Sequence, residues 1–138
     1  MPAVDEDTAA YILATRPAFE DLLQVSAQLA GLLVLAAAGS PAAGPHHPML
    51  SSAAKLCEEA VEAVRQARVP PAARRQHRYL LAATRALQRA IRAGNAGIAM
   101  DPVLLPLRAA YARLQLASRE LPGFPMVALE QGCCARKS

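Results

Sequence analysis

The sequence has no tryptophan, and aromatic residues fill only 4% of its 138 positions. Valine, isoleucine and threonine together supply 14 more. Strands of a sandwich or barrel need branched and aromatic side chains for their half-buried surfaces, so an all-β fold is excluded. Histidine and cysteine are scarce as well, with three of each. Cys57 stands alone and Cys133 adjoins Cys134, so the chain has neither a disulfide framework nor a C-x-x-C pair. The expectation is a reduced cytoplasmic protein with Cys57 as a buried thiol. The phosphate-binding loop, G-x-G-x-x-G, G-x-S-x-G and H-E-x-x-H patterns are all missing. No Glu-x-x-His pair of the di-iron bundles is present either. With no acid, base and nucleophile assembled, no catalytic residue and no cofactor is assigned, and a non-enzymatic protein is expected.

Acidic residues are absent from one long stretch. Residues 63–100 carry eight arginines and no acid, whereas residues 1–62 carry eight acids and two bases. The net charge of +4 therefore hides a strong segregation. A basic stretch of this kind meets an external anion, or it lies against acidic helices of its own fold or of a sister chain.

What the chain has in abundance is alanine, 32 residues, and leucine, 19. An apolar content of 54% disfavours disorder, and the composition reads as all-α. Pro/Gly clusters at 39–48, 69–71, 94–97 and 121–125 divide the chain. The expected fold is an antiparallel four-helix bundle over residues 1–125, with a short irregular C-terminal tail at 126–138. Its main helices are expected near 17–38, 49–68, 71–93 and 103–121. The first segment runs over roughly 5–38, and Pro17 is expected to kink or restart it with Thr15 as the cap. Pro106 is expected to delay or kink the fourth, whose seam reads Leu104, Leu107, Tyr111, Leu114, Ser118 and Leu121.

Residues 29–40 have the composition of a signal-peptide core and cleavage site. The flank is acidic, however, and the run is shorter than the roughly 20 residues a spanning helix takes. No membrane contact is expected. Beyond Gln28 the polar side of the helix disappears, so it must be covered all round. That motivates a homo-oligomer, a dimer first, joined through Leu29, Leu32, Leu33 and Leu35. The leading functional reading is an interaction or adaptor module that self-associates and takes a protein partner.

Two other readings stand beside it. Arg74, Arg78, Arg85, Arg89 and Arg92 fall within roughly 60° of one another on the third helix. Such a ridge suits the phosphates of a nucleic acid, although the aromatic companions of a single-strand binder are missing apart from Tyr79. A solvated face, or one paired with Glu58, Glu59 and Glu62, is favoured over it. The last reading is a small-ligand, metal or haem site. In an up-down bundle His77 lies at the end where the fourth helix finishes, roughly 30 Å from His46 and His47. The candidate ligands are therefore His77 with Cys133 and Cys134.

Overall fold

The computed structural model describes residues 4–39, 47–97 and 100–126. Four helices follow one another: α1 (Glu6–Ala37), α2 (Pro48–Gln66), α3 (Arg74–Ala96) and α4 (Met100–Glu120). A 3-10 turn at Pro71–Ala73 leads into α3. There is no strand among the described residues. Each helix packs on the next, and α4 returns to α1, closing a ring; α1 and α3 also touch across the middle.

Local chemistry sets the ends. Asp5 caps α1 by accepting from the Thr8 backbone N–H at 2.7 Å, and Glu6 and Asp7 follow in the first turn, where carboxylates suit the positive end of the helix dipole. Nδ1 of His47 caps α2 by accepting from the Met49 N–H at 3.0 Å, with Pro48 at the first helical position. Gly97, at φ +142°, ends α3.

Several expectations need correction. Pro17 neither stops nor restarts the first helix, and α1 runs through it without a break. Pro17 is exposed, and so is Leu13, whose carbonyl loses its helical partner to the proline ring. Water reaches that side, so the lost bond is tolerable. Thr15 is no cap; its hydroxyl donates to the Tyr11 carbonyl at 2.8 Å, inside the helix. Pro106 likewise sits within α4, which starts before it. The third helix passes Gly94, which is buried, and ends at Ala96. The α4 seam is turned by part of a step: Val103, Leu107, Ala110, Leu114 and Ala117 are buried, while Tyr111 is exposed.

One contiguous core results, from Tyr11, Phe19, Leu22 and Leu29 of α1 to Leu80 and Leu87 of α3 and Leu114 of α4. Ala83, Ala86 and Ala90 of α3 and Ala110 and Ala117 of α4 are all buried. Small side chains there let α3 and α4, the most extensively packed pair, approach closely. After α4 the chain turns back onto α1. Phe124 meets Phe19 edge to face at 5.3 Å, and Met126 is half-buried against α1 and Tyr111.

The lack of a polar side after Gln28 is met inside the chain. Leu29, Leu32 and Leu33 are buried in its own core, so they are not the surface of a dimer. Leu35 is half-buried and Val34 is 68% exposed. Among the described helices α1 alone is long and apolar enough to cross a membrane; its buried apolar residues pack into the core shared with the other three helices.

Candidate functional site

The arginine ridge is the most ordered polar feature. Arg74, Arg78, Arg85, Arg89 and Arg92 are all exposed along the outer line of α3. That line spans about 27 Å, at 1.5 Å per residue. Glu58, Glu59 and Glu62 are exposed on α2. Among the described residues no ridge arginine makes an ion pair with them or with any other acid. Among the described residues, the one cation on α3 that finds a carboxylate is Arg75, off the ridge, 3.8 Å from Glu120.

Beside the ridge, α4 shows a second outward line. Leu105, Ala109, Ala112 and Leu116 follow 4-3-4 spacing and are all exposed, Leu105 at 64%. Arg89 of α3 shares a shallow hollow with Pro102, Leu105, Pro106 and Ala109. The Arg75–Glu120 ion pair and the hollow shared by Arg89 and Leu105 fix the antiparallel register, which sets Arg85 and Arg78 along the rest of the α4 line. Arg108, Arg113 and Arg119 of α4 are exposed too. The outer face of α3 and α4 is therefore basic with an apolar strip through it. Sequence reasoning missed that strip because Leu104-Leu105 and Leu114-Gln115-Leu116 supply two leucine lines on one helix. The 4-3-4 spacing of the outer line was the available signal.

The other side of the molecule is acidic. Residues 5–21 hold five acids and one base, Arg16. Partial burial, then Glu59 of α2 and the neighbouring Glu20, raise the pKa of Asp21 above its ordinary value.

Of the remaining candidates, only His77 and His47 lie among the described residues. Nδ1 of His77 lies 3.1 Å from the buried Tyr11 hydroxyl, and burial lowers the His77 pKa. Cys133, Cys134 and His46 lie outside the described residues. His47 serves α2 as a cap. Among the described residues no three histidine, cysteine or carboxylate side chains group as metal ligands. Burial, with a smaller contribution from Glu58, pushes the Cys57 thiol up to about 11, so it is a packing residue and no nucleophile. Between α1 and α4, hollows on either side of Tyr111 are lined by Leu23, Gln24 and Ala27, and by Ala30, Leu104 and Leu107. The first is also lined by Glu20, Ser26 and Met126. Glu62 of α2 accepts from Nε2 of Gln66 at 2.7 Å.

No family model, curated protein or solved structure matches this chain.

Proposed function

We propose that the chain is a non-enzymatic interaction module that recognises an acidic protein surface through the outer face of α3 and α4. The observation that carries this reading is the hollow shared by Arg89 and the exposed Leu105. A polyanion needs the cations alone. A protein partner uses cations at the rim and buries apolar side chains at the centre. Arginines around Leu105 and Leu116 fit the second pattern.

Two acidic helical peptides test it, one bearing leucines at i, i+4 and i+7 and one of equal charge bearing serines there. An oligothymidylate of similar charge completes the set. The leucine peptide is expected to bind best, and to lose affinity both with Arg85→Gln, Arg89→Gln and with Leu105→Ser. If the oligonucleotide binds best, with no effect of Leu105→Ser, the polyanion reading takes its place.

Self-association through the upper part of α1 is a second reading, favoured by Val34. It is exposed on a stretch, residues 22–37, that carries no charge. A Val34→Glu variant with unchanged assembly state counts against it.

A further inference from the structure

The basic-face reading leaves its acidic partner open, and the rest of the molecule offers one. Resting on that reading, we infer that the partner is the amino-terminal half of α1 on a second copy of this chain, with Leu13 of one copy seated between Leu105 and Leu116 of the next.

Leu13 is 71% exposed, more than any other large apolar residue among those described. Glu6 lies one heptad before it and Glu20 one heptad after, both exposed. At 100° per residue these three lie within about 40° of one another, forming a line of acid, leucine and acid about 21 Å long. On the opposing face, Leu105 and Leu116 stand about 16 Å apart along α4, with only Ala109 and Ala112 between them. The two alanines leave a low stretch between the two leucines, on which a third leucine can pack. Arg78, Arg85 and Arg89 run along one side of it, and Arg108 and Arg119 stand on α4 itself.

Charge decides which surfaces meet. Two α3–α4 faces brought together would set arginine against arginine. Two α1 amino-terminal halves would set carboxylate against carboxylate, where Asp21 already has Glu20 and Glu59 as neighbours. Basic face on acidic helix is the arrangement in which both find opposite charge. Arg16, the one base on that half of α1, lies about 60° from Leu13 and about 40° from Glu20 and so flanks the line on one side, leaving Glu6 and Glu20 as the charges on the line itself. The two surfaces differ, so the contact is heterologous. Each added copy still presents both, and the assembly grows or closes into a ring.

Sedimentation velocity of the full chain and of two variants tests this. One variant, Leu13→Ser with Glu20→Gln, removes the acidic surface. The other, Arg85→Gln with Arg89→Gln and Leu105→Ser, removes the basic one. All of these positions are exposed, and circular dichroism checks that each variant folds. The unaltered chain is expected to associate beyond a dimer at high micromolar concentration and to dissociate as salt is raised. Each variant alone is expected to be a monomer. Mixed in equal amounts, they are expected to form a dimer and nothing larger, because one intact surface of each kind remains. A variant that associates alone as the unaltered chain does, or a mixture that stays monomeric, overturns the inference. If the unaltered chain stays monomeric but binds the leucine peptide, the second-copy inference falls and the basic-face reading stands. If it does neither, both fall.

Discussion

The Tyr11 hydroxyl of α1 lies 3.1 Å from Nδ1 of His77 on α3, and the two rings meet edge to face at 5.8 Å. Burial raises the Tyr11 pKa above the ordinary phenol range, so the hydroxyl keeps its proton. With its own proton on Nε2, His77 accepts the hydroxyl at Nδ1. Protonating the ring removes that lone pair.

A pH dependence follows. Burial holds the folded His77 pKa below its ordinary value of 6.5. As pH falls from neutral, the unfolded chain takes up this proton near 6.5, and the folded chain does so only at lower pH. In that window the unfolded state binds more protons, so stability rises with pH and is lost on acidification. The loss stops once the folded form is also protonated. Melting temperatures measured across this range are expected to fall as the buffer is acidified. His77→Gln is expected to flatten the slope; an unchanged slope would place its origin elsewhere.

The return of the chain after α4 depends on Phe124, which is buried against Phe19. Phe124→Ala is expected to cost about 3 kcal/mol, the lower range for emptying an aromatic site. Gly123 adopts φ +94°, and a Cβ there would stand 2.9 Å from Cγ2 of Ile12. Gly123→Ala is therefore expected to cost roughly 1–2 kcal/mol. Urea denaturation reads both, and values near zero would mean that residues 121–126 do not anchor α4 to α1.

Helical class, the four elements and the arginine ridge were legible in the sequence, because periodicity and charge are local properties. Pro17 was not. Its effect depends on whether the orphaned Leu13 carbonyl meets water, and that is decided by where the other helices sit. The burial of Leu29, Leu32 and Leu33 was misassigned to a second chain for a related reason. How far three amphipathic helices wrap a fourth is set by packing distances, and alanine-rich faces on α3 and α4 shorten them. The outer line of α4 was hidden by a rotation. A leucine-rich helix offers two plausible seams, and the choice rests on what lies opposite.

The continuity of α1 through Pro17 predicts a gain. Pro17 is exposed. Pro17→Ala restores the N–H that the Leu13 carbonyl lacks and removes the ring. The expected stabilisation is about 1–3 kcal/mol, the upper end being the alanine–proline difference inside a helix. An unchanged or lower melting temperature would mean that the missing bond and the ring cost α1 nothing at this point.

The outward setting of the Leu105 line is tested by two leucines on the same helix. Leu114 is fully buried, and Leu105 is largely exposed. Leu114→Ala empties a core site and is expected to cost about 2–5 kcal/mol. Leu105→Ala removes little that the fold has covered, and its cost is expected to stay within about 0.5 kcal/mol. Association and binding to the acidic leucine peptide are expected to respond in the opposite order: Leu105→Ala weakens both while the fold holds. Comparable destabilisation by the two substitutions would mean that the fold covers Leu105, and the outer apolar strip of Leu105, Ala109, Ala112 and Leu116 would fall with it.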